Sequence, residues 1–255
     1  MGLYASSNAE VKTFRGLHLY HFAFSNCSQR VRIALEEKGL PWTSHHLNLA
    51  ANEHATPVYR TINPKGVVPT LVHDGRVYVE SNDILSYLDE TFPAPPLAPA
   101  DPLERKAVEE HLLAAEAIQP SIKALSHELL FKPFRKVGAD EIAKVDAALG
   151  NAELVAFLRD YAEDGAAWRA RVAAARHAMD AALGRLEAAL AGAPWLSGAS
   201  FGLADVSWVV NLHRLAQARY PLDAWPRLLA WYARCVERPA FRRAVLEWQP
   251  GAAQE

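Results

Sequence analysis

Between residues 92 and 102 the chain reads Phe-Pro-Ala-Pro-Pro-Leu-Ala-Pro-Ala-Asp-Pro, and five prolines packed this closely fit neither a helix interior nor a sheet interior. Proline has no N–H to donate and a fixed φ, so the stretch is a stiff connector. It separates two unlike halves. Before it, β-branched and aromatic runs alternate with short helical patterns. After it strand signals vanish, and Ala, Leu, Glu and Arg recur at helical spacing. The expected organisation is an α/β domain over residues 16–92, a linker over 93–102 and an all-helical domain over 103–250.

Within the first half, residues 17–22 read as a strand. A helix follows from about residue 26, with Val31, Ala34 and Leu35 on one face and Gly39 and Pro41 as its stop. Residues 42–49 read as a second strand. Pro64 and Pro69 then bracket a loop, and Val68-Pro69, at the mouth of a β run, is where a cis peptide is expected. Asp74-Gly75 is a two-residue hairpin signal between residues 71–73 and 76–79. Ser81 is the expected N-cap of the next helix, with Asp83 in its first turn and Ile84, Leu85 and Leu88 on its buried face. The order βαβαββα implies a mixed sheet. The second half reads as helices near 103–132, 139–162, 165–191, 203–218, 225–237 and 240–247.

Composition narrows the function. A formal charge of −2 with 22% charged residues argues against nucleic acid or an anionic lipid surface as the main partner. Cys27 and Cys235 have no paired spacing, which suits a reducing compartment and an expected cytoplasmic location. No metal-ligand pattern is present. His45 and His46 are adjacent in an expected strand, so they point to opposite faces and cannot share one ion. The apolar runs fall short of a membrane span. Gly2 and Ser6 fit a short myristoylation pattern, but no basic cluster follows and the match is set aside as chance. Residues 1–15, which lack a secretory core, read as a polar leader.

The stretch Ser25-Asn26-Cys27-Ser28 places hydroxyls and a thiol where a helix begins. Two readings stand side by side. Serine and asparagine are ordinary N-caps, and a cysteine there can be a small buried hydrophobe. The same unpaired N–H groups and the positive end of the helix dipole also stabilise a thiolate or another anion.

Four features together resemble the glutathione transferase superfamily. Residues 25–35 are similar to its zeta-class signature, residues 63–71 (Asn-Pro-Lys-Gly-Val-Val-Pro-Thr-Leu) to its cis-proline loop, and Glu80-Ser81 to its γ-glutamyl-binding turn. Trp195-Leu196-Ser197-Gly198 with residues 201–206 resembles its buried capping-box helix, although Gly202 stands where Ser or Thr is usual. The resemblance implies a thioredoxin-like first domain, glutathione as co-substrate, a small and mostly aromatic electrophile as second substrate, and a homodimer burying the edge at residues 76–79. It implies that Ser25 donates to the glutathione thiolate, and that Val68, ahead of Pro69, pairs with the cysteinyl backbone. Glu80 and Ser81 hold the γ-glutamyl end, and Lys65 reaches the glycyl carboxylate. Bacterial β-etherases and tetrachlorohydroquinone reductive dehalogenases resemble the chain in the same stretch and point instead to Ser28 and Cys27. A serine at each position of a CxxC-type pair, Ser25 and Ser28, excludes dithiol chemistry. The long helical run at residues 137–169 weighs against a zeta-type isomerase. His111, Glu116, His127, Phe131, Phe134 and Trp168 are available to line the second-substrate cleft. A non-catalytic binding protein of the same fold is the alternative to an enzyme.

Overall fold

The computed structural model describes residues 2–249, so Met1 and Pro250, the last residue of the expected helical domain, lie outside it. A mixed five-stranded sheet is built from β1 (Leu3–Tyr4), β2 (Leu17–His21), β3 (Trp42–His46), β4 (Thr70–His73) and β5 (Arg76–Tyr78), in the order β1-β5-β4-β2-β3. Only β2 and β3 run parallel. Between and after the strands come α1 (Asn26–Glu37), α2 (Pro57–Ile62) and α3 (Ser81–Thr91). From Pro102 on, every described element is helical. These are α4 (Pro102–Ala117), α5 (Gln119–Leu125), a π-helical turn (Ser126–Phe131), α6 (Ala139–Leu149), α7 (Ala152–Glu163), α8 (Ala166–Ala189), α9 (Leu203–Gln217), α10 (Pro226–Val236) and α11 (Pro239–Ala244). A 3-10 turn (Leu246–Trp248) follows α11.

Local chemistry accounts for most boundaries. Asp74 and Gly75 have φ of 47° and 79°, the paired positive values a tight β-hairpin turn needs. Where the structure departs from the sequence reading, a specific residue is responsible. The expected helix at 103–132 breaks at Ile118 because Pro120 cannot donate to a preceding turn and instead opens α5. The expected helix at 139–162 is two helices. Gly150, at φ 59°, ends α6, and the Asn151 side chain caps α7 by accepting from the Leu154 N–H at 2.9 Å. The second strand stops at His46, not residue 49, and the last helix at Ala244, not residue 247.

The polar leader is not all leader. Leu3 and Tyr4 pair antiparallel with Tyr78 and Val77, and the Val79 N–H donates to the Gly2 carbonyl at 2.8 Å. The edge at residues 76–79, expected to be open, is therefore covered by β1. Two residues are too short to show an alternating pattern, which is why the strand was invisible in the sequence.

The helix α1 lies against α3 on one side and against α9 and α11 on the other, so it belongs to the packing of both halves. Its apolar face (Val31, Ile33, Ala34, Leu35) and the β2 residues Leu17 and Leu19 are buried in one core continuous with α9.

The start of α9 explains Gly202. A Cβ at this position would lie 2.1 Å from the Leu97 carbonyl oxygen, and that carbonyl accepts from the Leu203 N–H at 2.9 Å. The connector approaches too closely for any side chain. The missing hydroxyl is supplied by Ser197, whose Oγ accepts from the Ala204 N–H at 3.0 Å. Asp205 accepts from the N–H groups of Leu196, Ser197 and Gly202 and from the Trp231 indole. Gly202→Ser, which restores the common cap residue, is therefore expected to destabilise the fold by roughly 2 kcal/mol or more. Urea denaturation measures this, and a neutral or stabilising effect contradicts the close-approach argument.

Candidate active site

Ser25 caps α1. Its φ and ψ of −72° and 118° are extended, and its Oγ accepts from the Ser28 N–H at 3.2 Å. A hydroxyl that accepts this way keeps its own proton free to donate. Ser25 is half-buried, so that proton is within reach of the cleft. Ser28, in contrast, is fully buried and its Oγ accepts from the Phe22 N–H at 3.3 Å. Cys27 lies between them on the first turn, half-buried, with Sγ 3.9 Å from the Gln119 Oε1 and 4.0 Å from the Arg30 Nη1.

Arg30 is the residue that sequence reasoning missed. It is buried, and its guanidinium donates to the carbonyls of Ser207 (2.9 Å) and Ala115 (3.4 Å), to the Ser81 Oγ (3.0 Å) and to the Asn211 Oδ1 (3.4 Å). None of these partners is a carboxylate. Burial lowers its pKa, while the neighbouring Cys27 and Glu116 oppose the shift. A cation held only by neutral acceptors beside a helix N-terminus leaves a positive field over Cys27 and Ser25. In sequence, Arg30 sits among Gln29, Val31 and Arg32 with no signal that it faces inward.

The cis-proline loop comes alongside. The Val68–Pro69 peptide is cis. Its position is fixed by Tyr59 and Asn63, which both donate to the Val67 carbonyl, at 2.6 and 3.1 Å. Neither the N–H nor the C=O of half-buried Val68 is paired with another described residue. Register continues the β2–β4 ladder, so this unpaired stretch faces the loop before Ser25.

Glu80, not Ser81, is the N-cap of α3, with φ 63° and ψ 113°. A non-glycine residue there costs about 1–3 kcal/mol of backbone strain, which folded proteins retain mainly at ligand clamps and switches. Ser81 is the first helical residue and accepts from Arg30. Lys65 and Glu80 meet each other at 2.6 Å in an exposed ion pair.

Of the residues available for a second-substrate cleft, Phe131 comes to the mouth of α1, with its ring centroid 5.6 Å from the Arg214 guanidinium. Arg214 in turn donates to the Phe24 carbonyl. Phe131 reaches that point on the π-helical turn, a distortion often found at functional sites and invisible to periodicity. Trp168 is buried against Phe157 and Tyr161 and donates to the Glu128 Oε2, so it packs the added helices. Phe134, at 89% exposure, lines nothing. His111 gives its carbonyl to Trp208. On β3, His45 stacks on Tyr20 and His46 lies against Trp248, on opposite faces. No described helix is long and apolar enough to cross a membrane.

Residues 19–96 match the family profile for the glutathione S-transferase N-terminal domain and residues 166–234 the profile for its C-terminal domain. Maleylacetoacetate isomerase of Pseudomonas aeruginosa is 33% identical over 92% of this chain and 98% of its own length. The tetrachloro-p-hydroquinone reductive dehalogenase of Sphingobium chlorophenolicum is 31% identical over 91% and 98%. Among solved structures, the β-etherase LigF of Sphingobium sp. strain SYK-6 superposes with a TM-score of 0.80 over 89% of this chain and 98% of that one, at 24% identity, a likeness of fold. The chain belongs to the glutathione S-transferase family, whose co-substrate is glutathione.

Three histidines around this framework are held neutral. Burial pushes His21 down to about 3 and His127 and His213 each down to about 4. Unfolded, each takes a proton near pH 6.5; folded, each refuses it until pH nears its lowered value. Stability is therefore full above about pH 6.5 and is lost as pH falls from there toward 4. The thermal midpoint is expected to drop by roughly 10 °C or more between pH 7 and 4.5, less so in His127→Phe. A midpoint that stays flat over this range contradicts neutral burial.

Proposed function

We propose that the protein is a glutathione-dependent enzyme that lays glutathione along the cis-proline loop and presents its thiolate, at the start of α1, to a small electrophile. The observation that carries this reading is the convergence of three unsatisfied features: the unpaired main chain of Val68, the strained Glu80–Ser81 turn, and the donor proton of Ser25. A scaffold has no use for them together. Val68 pairs with the cysteinyl backbone as a short antiparallel strand, with Pro69 fixing the loop's direction. The free N–H groups at the start of α3 receive the γ-glutamyl carboxylate. Glu80 turns to the glutathione ammonium and Lys65 to the glycyl carboxylate. Their present pairing is exposed and worth at most about 1 kcal/mol, so exchanging partners costs little.

Ser25, the helix N-terminus and the Arg30 field all favour the anionic sulfur, so bound glutathione titrates below the ~8.5 of a free thiol. Plain conjugation uses that thiolate once. The names of the isomerase and dehalogenase relatives fit reactions that also begin with thiolate attack. Ser28, enclosed and committed to Phe22, serves the loop rather than the substrate. A second reading, glutathione-dependent reduction through Cys27, is favoured by the Arg30 guanidinium 4.0 Å from its sulfur.

We also propose a homodimer. With β5 covered by β1, its contact falls on α4, which leaves Leu103 and Leu113 exposed by 80% and 67%. Sedimentation at micromolar concentration tests this, and a monomer counts against it.

Retention on immobilised glutathione with elution by free glutathione tests the reading as a whole, and failure to bind removes it. Ser25→Ala is expected to lower kcat/KM on an aryl halide by about 10²-fold with little change in glutathione affinity. Cys27→Ala stays near wild type in conjugation. Should Cys27→Ala be the damaging change and Ser25→Ala silent, the reductive reading takes over.

A further inference from the structure

Three arginines are buried around the mouth of α1, and one is unlike the others. Arg30 spends all five of its N–H donors and Arg32 four of its five. Arg32 reaches the carbonyls of Ala244 (2.7 Å), Phe22 (3.2 Å) and Ala23 (2.9 Å) and the His21 ring (3.0 Å). Arg214, on α9, is only 5% exposed, yet among the described residues it makes a single hydrogen bond, from Nη2 to the Phe24 carbonyl. Its Nε is enclosed with no partner, and no described carboxylate lies within ion-pair distance. A guanidinium has five N–H groups and loses several kcal/mol of hydration on burial, so leaving the enclosed Nε without a partner is costly.

Its surroundings say what is missing. Phe24 immediately precedes Ser25, and Phe131 covers the guanidinium face, so the unused donors lie beside the point where the thiolate is presented. On the same helix, Asn211 is 1% exposed. Its Oδ1 accepts from Arg30, Gln119 and Asn26, which leaves the Nδ2 donor with no partner. This face of α9 thus presents an unpaired amide donor and the Arg214 guanidinium, with no described carboxylate paired to either. Glu116, whose charge reaches Arg30, is exposed and does not neutralise it.

We propose that Arg214 binds an anionic oxygen, a carboxylate or phenolate, on the second substrate, and so selects acidic over neutral electrophiles. The inference rests on the reading of the α1 mouth as the site of thiolate attack. With its one bond to Phe24, Arg214 also positions the loop that carries Ser25. The two roles separate experimentally, because anion binding depends on the ligand's charge and loop positioning does not.

Isothermal titration with 4-nitrobenzoate and 4-nitrobenzamide, matched in size and differing in charge, reads the preference directly. It is run on the glutathione-loaded and the glutathione-free protein. Failure to take up glutathione counts against the proposed function, while the acid-to-amide ratio reports on Arg214 in either form. The acid is expected to bind at least about tenfold more tightly than the amide. Arg214→Met abolishes the difference by weakening the acid alone, and Arg214→Lys keeps most of it. Equal affinities in the wild type, or no measurable binding of the acid, overturn the proposal without any variant. An equal loss for both ligands in Arg214→Met overturns it too, since that is the signature of a role confined to holding Phe24.

Discussion

Three buried guanidiniums with no carboxylate partner set the terms for the rest of the molecule. Burying such an ion costs several kcal/mol unless oxygen acceptors meet it, and two of the three, Arg32 and Arg214, use main-chain carbonyls of the loop before Ser25. Arg32 takes the carbonyls of Phe22 and Ala23, and Arg214 that of Phe24. The loop's N–H groups are taken as well, that of Phe22 by Ser28 and that of Ala23 by the His46 ring. Three successive residues are therefore pinned from α1, α9 and β3, and Ser25 starts from a fixed point. Arg32 is itself held by the Ala244 carbonyl and lies under the Trp248 ring at 5.1 Å, so the last described turn of the chain helps fix the loop that opens the site.

That arrangement puts charge to two uses. Carbonyl oxygens carry only partial charge and leave the net positive charge of the guanidinium in place, whereas a carboxylate partner would cancel it. The cost of burying Arg30 beside Cys27 is thus also the means by which an anionic sulfur is favoured there. Replacing one of the neutral partners of Arg30 with an acid would stabilise the ion and silence the field.

Much of this was legible before any coordinates, and what was not has a common cause. The proline connector, the Asp74–Gly75 turn and the Ser25 cap are local signals, decided by residues within a few positions of one another. The strand β1 and the glycine at position 202 are instead decided by partners far away in the chain, β5 and the Leu97 carbonyl. The three candidate nucleophile positions show the limit most clearly. Ser25, Cys27 and Ser28 share one short stretch and similar chemistry, and only depth and partner distinguish them: Ser28 faces inward to Phe22, while Ser25 and Cys27 face the cleft.

The added helices bear on both halves of the site at once. At one end of the stretch from 131 to 149, Phe131 lies over Arg214. At the other, the Ala148 carbonyl accepts from Arg60 at 2.9 Å, and Leu149 comes so close to Gly66 that a Cβ there would sit 2.8 Å from its methyl. Gly66 is two residues before Val68, so this contact borders the cis-proline loop proposed to hold glutathione, whereas Phe131 borders the side proposed for the electrophile. One segment therefore touches the part of the cleft that every thiolate reaction shares and the part that distinguishes substrates. Along its length the segment is held by packing, with Val137 and Ile142 in the core, and by the Tyr161 hydroxyl donating to the Arg135 carbonyl at 2.8 Å. The residues that generate the thiolate are instead fixed by buried charge. On the proposed reading, differences in substrate choice on this framework are carried by the segment and by Arg214, while the chemistry at Ser25 is left unchanged.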